Sequence, residues 1–166
     1  MSADPAGDER PTLFCFDGSD DSLAALRAAS QRLRPGRAIV LTVWETVALR
    51  VARRAFAGGM TVANEDELDA LEREAARGAA EEGARRAREH GWDAQARLAR
   101  AETTEWRAIV DVANEIDAGL IVCGTRGLGG LRGLVLGSVS HAVLQHAGRP
   151  VLIAPAPPVS GSARGR

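Results

Sequence analysis

The sequence predicts an α/β protein with a single domain, in which helices cover both faces of a doubly wound, open, parallel sheet of five strands. Two observations lead to this prediction. Short apolar segments alternate with stretches of helical periodicity along most of the chain, which is typical of consecutive β–α–β units. The chain has 166 residues, of which 45% are hydrophobic and 26% charged, and this length and balance suit one folded domain with a substantial core.

The first strand, the first helix and the second strand are clearly marked. Residues 12–16 form an apolar run that predicts a buried strand, which ends at Asp17-Gly18-Ser19. Apolar side chains then recur at helical spacing between Leu23 and Leu33, and Pro35-Gly36 terminates this helix. The apolar residues 38–43 predict the second strand.

The middle of the chain has a weaker pattern. Residues 44–64 show no clear period and contain Gly58-Gly59, so we predict a long connection without regular structure. Residues 65–90 are rich in Ala, Glu and Arg and predict a helix, which Gly91 terminates as a typical C′ residue. The alternating residues 94–101 predict a third strand that is half exposed.

The remaining elements complete the alternation. Thr103 or Thr104 is expected to cap a helix with an apolar stripe at helical spacing. That stripe consists of Ile109, Val112, Ala113 and Ile116. Residues 120–123 predict the fourth strand, residues 138–147 the last helix and residues 151–153 the fifth strand. We expect the domain to span residues 11–155, between flexible tails at residues 1–10 and 156–166.

Composition excludes several function classes. The formal net charge is -1, so bulk charge does not indicate a nucleic-acid or membrane partner. All 21 basic residues are Arg, and the absence of Lys excludes a Walker A loop, a kinase ATP site and a Schiff-base enzyme. Two cysteines do not make a disulfide framework, and no segment has the pattern of a signal peptide or a membrane span. We therefore expect a cytoplasmic protein.

Two segments that follow predicted strands contain the candidate ligand-binding residues. Ligands of doubly wound sheets bind beyond the carboxyl ends of the strands, where residues 17–22 and residues 124–138 are predicted to lie. The second segment is rich in glycine, so its backbone N–H groups can form a concave anion site. Gly137-Ser138 then begins a helix whose dipole favours negative charge, and Arg126 and Arg132 supply cations. The segment therefore predicts a phosphate-binding site.

This glycine segment resembles a known family. Gly124, two residues, Gly127, nine residues and Gly137-Ser138 match the nucleotide-binding signature of the universal stress protein family. The segments LFCFDGSDDSLAALRAA and HAVLQHAGRPVLIAP resemble the first strand and helix and the last helix and strand of that family. The resemblance implies the ATP-binding branch of the family, with strand order 3-2-1-4-5, which places strands one and four side by side.

The resemblance also implies roles for individual residues. Asp17 is expected beside the ribose or the metal–phosphate group, which makes it the candidate ligand for Mg²⁺ bound with ATP. The backbones of Cys15 and Val43 are expected to frame the adenine, and the glycine loop and the last helix to contact ribose and phosphates. The full set of implied ATP-binding residues is Cys15, Asp17, Val43, Gly124, Thr125, Arg126, Gly127, Leu128, Gly129, Gly130, Gly137, Ser138, Val139 and Ser140.

Three functions are consistent with this resemblance. The first is a regulatory, ATP-binding stress-response module that pairs as a homodimer through the last strand (Val151, Leu152 and Ile153) and acts on a partner protein that the sequence does not identify. The second is a slow ATPase or phosphotransferase, for which Asp17 and His141 are the available water-activating groups. The third is a dimeric protein-interaction module that binds no nucleotide.

The two cysteines permit two interpretations. In the implied fold, Cys15 and Cys123 end neighbouring strands, where buried, reduced thiols are the simpler interpretation. A redox pair is the alternative, although the chain has no C-x-x-C motif to support it.

Overall fold

The computed structural model describes residues 10–54, 64–125 and 136–155 of the chain. Its strands are β1 (Thr12–Cys15), β2 (Arg37–Trp44), β3 (Asp93–Arg100), β4 (Leu120–Gly124) and β5 (Val151–Ala154). Its helices are α1 (Asp20–Ser30), α2 (Val47–Arg54), α3 (Glu65–Glu89), α4 (Glu105–Glu115) and α5 (Ser138–His146). Of the two predicted tails, only Arg10 falls within the described residues.

The strands form one parallel sheet in the order β3-β2-β1-β4-β5, which confirms the predicted order. Thr12 of β1 lies opposite Ala38 of β2 on one side and Leu120 of β4 on the other. β2 and β3 lie on one side of β1, and β4 and β5 lie on the other. The strand order therefore reverses between β1 and β4, which is where doubly wound folds bind their ligands.

Helices cover the sheet on both faces, because successive side chains of a strand point to opposite sides. Phe14 of β1 and Val122 of β4 pack in a cluster with residues of α1 and α3. Leu13 and Ile121 point the other way and pack with residues of α4 and α5. None of these four side chains is more than 1% exposed. Burial of a side chain of this size contributes roughly 1.5–3 kcal/mol, so both faces hold the sheet in place.

Small residues let α3 approach the sheet closely. The buried face of this helix consists of Ala76, Ala80, Gly83, Ala84 and Ala87. A Cβ atom on Gly83 would lie 2.7 Å from the ring of Phe16 and 2.8 Å from the side chain of Val40, so a larger residue would push the helix outward. The other face carries ion pairs such as Arg85–Glu82. None of the helices in the described ranges has the length and hydropathy needed to cross a membrane.

The prediction for residues 44–64 was wrong in its first half. Trp44 still belongs to β2, and residues 47–54 form α2. The hydroxyl of Thr46 accepts a hydrogen bond from Leu49 N at 3.2 Å, and Asp69 of α3 accepts one from Val47 N at 2.6 Å. The segment is amphipathic, but it has only eight residues, and one of its two N-terminal acceptors comes from a distant segment. Residues 55–63 lie outside the described part of the chain.

The start of α4 also differs in detail from the prediction. Thr104 occupies the N-cap position, but its side chain makes no capping hydrogen bond. Within the described residues, its buried hydroxyl oxygen has no hydrogen-bond partner. The position of the helix start is therefore confirmed, whereas the expected side-chain cap is absent.

Candidate functional site

A cavity lies beyond the carboxyl ends of β1, β2 and β4, where the strand order reverses. Its volume is about 970 Å³, at the upper end of the range typical of small-molecule sites. Residues of α2, α3 and α4 form its outer walls, and the first turn of α5 closes one side. Two loops that are far apart in the sequence therefore meet at one cavity.

Most of the predicted ATP-binding residues that the structure describes line this cavity. These are Cys15, Asp17, Val43, Gly124, Gly137, Ser138, Val139 and Ser140. Thr125 follows Gly124 directly and contacts the start of α5, as described below. The other predicted residues, Arg126, Gly127, Leu128, Gly129 and Gly130, lie outside the described residues, as does Arg132. The ligand roles of all these residues remain predictions.

The carboxylate of Asp17 is oriented by the turn that follows β1. Its Oδ1 atom accepts hydrogen bonds from Ser19 N at 3.0 Å and from Ser19 Oγ at 2.6 Å. Gly18 between them has φ +82°, a left-handed conformation that favours glycine. Ser19 Oγ in turn accepts from Ser22 N at 3.2 Å and so caps α1. The turn presents a fixed carboxylate to the cavity, a suitable acceptor for ribose hydroxyls and a suitable ligand for a hard cation.

The end of β4 is packed tightly against α1. A Cβ atom on Gly124 would lie 2.7 Å from the backbone carbonyl carbon of Asp21, a separation that real Cβ atoms do not show. The hydroxyl of Thr125 donates a hydrogen bond to Asp21 Oδ2 at 2.5 Å. Asp21 lies in the first turn of α1 and is only 9% exposed. Asp21 therefore anchors the start of the glycine segment, a role that sequence reasoning missed.

The two ends of the glycine segment (residues 124–138) are in contact with each other. The carbonyl oxygen of Thr125 accepts hydrogen bonds from Gly137 N at 2.7 Å and from Ser140 Oγ at 3.0 Å. Gly137 is the N-cap of α5 and has no side chain to satisfy the first N–H groups of that helix. Because Ser138 and Val139 line the cavity, these N–H groups and the helix dipole favour an anion there.

Two thiols form part of the cavity wall. Cys123 Sγ donates a hydrogen bond to Cys15 Sγ across a distance of 3.3 Å, and both residues are free cysteines. The contact with Cys123, and next burial, raise the pKa of the Cys15 thiol well above its usual value, and the charge of Asp17 acts in the same direction. Cys15 is therefore a neutral thiol at pH 7.

The wall formed by α2 and α3 contains an ion pair that the sequence did not indicate. Arg50 Nη1 lies 2.9 Å from Glu72 Oε1, and both residues line the cavity. The hydrogen bond to Glu72 raises the pKa of Arg50. Trp44 lines the same region. This wall was missed because α2 was not predicted.

One of the two predicted water-activating groups lies at the cavity. Of the two predicted water-activating groups, Asp17 lines the cavity, whereas His141 is exposed and is not among the lining residues. Among the residues that the structure describes, no group of three or more His, Cys, Asp or Glu side chains could hold a metal ion. Asp17 is the predicted carboxylate ligand for a cation bound together with phosphate oxygens.

Comparison with known proteins identifies the family. A model of the universal stress protein family matches residues 10–155. Universal stress protein YxiE of Bacillus subtilis (strain 168) is 34% identical over 149 residues, which cover 85% of this chain and 95% of that protein.

Solved structures agree with this match. A universal stress family protein from Burkholderia pseudomallei is 25% identical with a TM-score of 0.67, and the match covers 92% of this chain and 100% of that chain. The universal stress protein from Archaeoglobus fulgidus, in complex with dAMP, is 25% identical with a TM-score of 0.52, over 87% of this chain and 96% of that chain. The strand order, the family match and the relative from Bacillus lead to one conclusion: this chain belongs to the universal stress protein family.

Proposed function

We propose that the protein is a regulatory module that binds ATP together with Mg²⁺ in the cavity at the ends of β1, β2 and β4, and that it acts as a cytoplasmic homodimer on a partner protein. The observation that carries the proposal is the composition of one cavity wall. A fixed carboxylate, a glycine at a close approach and the N-terminus of α5 all face the same space of about 970 Å³. The dAMP complex of the Archaeoglobus fulgidus protein supports an adenine nucleotide as the ligand class.

The adenine is placed at the end of the cavity formed by β1 and β2. Leu41 and Val43 of β2 and Ile109 of α4 supply apolar surface there, which suits the faces of a purine ring. The backbones of Cys15 and Val43 offer hydrogen-bonding groups at the strand ends. Trp44 follows Val43 and is placed to cover the base. The ribose then reaches Asp17, whose oriented carboxylate accepts hydrogen bonds from its hydroxyls.

The phosphates are placed at the first turn of α5. The first N–H groups of α5, the helix dipole and the hydroxyl of Ser138 attract their charge. Gly124 and Thr125 begin the segment that the signature assigns to ribose and phosphates, and both residues pack tightly on Asp21. Mg²⁺ prefers phosphate oxygens, water and one or two carboxylates, and Asp17 supplies the carboxylate.

Replacement of Asp17 tests this assignment with little disturbance of the fold. Asp17→Asn keeps an oxygen that accepts the hydrogen bonds from Ser19, so the turn is preserved, but it removes the charge. A lost charge-assisted hydrogen bond is worth roughly 1.5–3 kcal/mol, which is about a ten- to hundredfold loss of ATP affinity in isothermal titration calorimetry.

Asp20→Asn is the matched control. Asp20 is exposed, lies in the first turn of α1 and is not part of the cavity wall, so its replacement should leave ATP affinity within about twofold of wild type. Equal ATP affinities for wild type and both variants would contradict the assignment of Asp17 to the ATP site. Failure of the wild-type protein to bind any adenine nucleotide would reject the proposed function.

A further inference from the structure

Cys15 and Cys123 lie side by side at the carboxyl ends of two hydrogen-bonded strands. The parallel register places Phe14 opposite Val122, so the next residue of β1 is beside the next residue of β4. Both side chains point to the same face of the sheet, in the cluster that contains Leu13 and Ile121. Their Sγ atoms are 3.3 Å apart. No other cysteine exists in the chain, which has two in total.

The backbone geometry is compatible with a covalent bond between these sulfur atoms. Neighbouring strands are about 4.8 Å apart, and disulfides join residues whose Cα atoms are about 4.4–6.8 Å apart. A disulfide bond is about 2.05 Å long, so the sulfur atoms need to approach by only about 1.2 Å from their separation of 3.3 Å. Rotation of the two side chains is the movement that brings the sulfur atoms together.

The cavity gives small molecules access to the pair. Cys15 is half-buried and Cys123 is 4% exposed, and both line the cavity. A reagent that enters the cavity therefore reaches Cys15 first, with Cys123 directly behind it. A thiol that lines a cavity beside a second thiol is positioned to form a mixed disulfide that the second thiol resolves.

We propose that Cys15 and Cys123 form a reversible dithiol–disulfide site that a low-molecular-weight disulfide closes from within the cavity. Because Cys15 is a neutral thiol at pH 7, it first loses its proton to solvent. Its thiolate then attacks one sulfur of the small disulfide and forms a mixed disulfide, while the first small thiolate leaves. The thiolate of Cys123 then attacks the Cys15 sulfur, forms the intramolecular bond and displaces the second small thiolate. The two protons from the protein thiols go to the two leaving thiolates, and the two electrons reduce the small disulfide to two thiols.

Formation of the disulfide bond links β1 to β4, and the ends of these two strands form part of the proposed ATP site. β1 leads directly into the turn that holds Asp17, and Cys123 is followed by Gly124 and the glycine segment. The site is thus a chemical modification at the wall of the cavity, distinct from the binding of a ligand inside it. Its test does not require any nucleotide.

The test is the reaction of the reduced, native protein with oxidised glutathione, followed by alkylation of the remaining thiols in denaturant and by intact-mass analysis. The wild-type protein is expected to lose both thiols, to retain no glutathione, to remain a single chain without reductant and to recover both thiols with dithiothreitol. Cys123→Ser lacks the resolving thiol and is expected to stop at one glutathione bound to Cys15. Cys15→Ser is expected to react much more slowly, because Cys123 is buried.

Several results would overturn the proposal. These are wild-type protein that carries glutathione as a stable adduct, disulfide bonds between chains, and retention of both thiols under conditions that oxidise the same chain unfolded in urea. Circular dichroism of each variant establishes that the measurement is made on folded protein.

Discussion

Gly124 must be glycine for a steric reason that the sequence pattern does not show. The sequence pattern assigns it to a flexible glycine loop, where conformational freedom is the advantage of glycine. In the structure it is the last residue of β4, and its need for glycine is steric. The backbone of Asp21 occupies the space that a Cβ atom would fill, at 2.7 Å. This requirement depends on how α1 packs on β4, which no local pattern contains.

Gly124→Ala should therefore destabilise the protein. The added methyl group forces the backbones of β4 and α1 apart, and overpacking of this kind costs about 1–3 kcal/mol. Gly78→Ala is the matched control, because a Cβ atom there meets nothing within 4 Å and the residue lies inside α3. The control should stabilise the protein by about 0.5–1 kcal/mol, since Ala favours a helix more than Gly does.

Urea unfolding followed by circular dichroism measures both changes. The interpretation of Gly124 fails if its variant is as stable as wild type, or if the two substitutions change the free energy of unfolding in the same direction.

At the scale of elements, the predicted strands and four helices are present, whereas α2, which was not predicted, is held partly by a contact with α3. The predicted strands and the helices α1, α3, α4 and α5 all appear, because each carries an apolar pattern over enough residues. The helix α2 has eight residues, and its first N–H group is held by Asp69 of α3. An isolated helix of this length is not stable in water, so α2 depends on such contacts with the rest of the fold.

The edge strand β5 is the element that we propose to form the dimer. Its residues Val151, Leu152 and Ile153 are half-buried, and its outer edge pairs with no strand among the described residues. Leu152→Arg places like charges near each other across the proposed two-fold axis and should raise the dimer dissociation constant at least about tenfold. Multi-angle light scattering over a dilution series measures this change.

Leu71→Arg is the matched control for the edge strand. Leu71 is 62% exposed on α3, which packs on β2 and β3 away from β5, so this variant should remain as dimeric as wild type. Because Leu152 also contacts the core, thermal unfolding must show that its variant is folded. A folded Leu152→Arg protein with an unchanged dimer constant would exclude β5 as the interface.

At the scale of the whole molecule, the strand order brings the residues of the site together. Residues near positions 17, 43, 124 and 138 are far apart in sequence, and the order β3-β2-β1-β4-β5 brings them to one cavity. The strand pattern and the family resemblance were sufficient to predict this assembly. The implied strand order also placed Cys15 beside Cys123, and the structure shows their contact. The Asp21–Thr125 and Arg50–Glu72 contacts were not predicted, since each joins side chains through packing between elements.

The central claim is that ATP occupies this cavity, and a titration followed by two-dimensional ¹H–¹⁵N NMR tests it most directly. Nucleotide-free protein is titrated with Mg-ATP, and amide shifts are mapped onto the assigned chain. We predict saturable changes concentrated at Asp17, Val43, Gly124 and residues 137–140, with little change at Gly91 at the opposite end of the sheet. Changes confined to other surfaces, or an unchanged spectrum at millimolar ATP, would contradict the account.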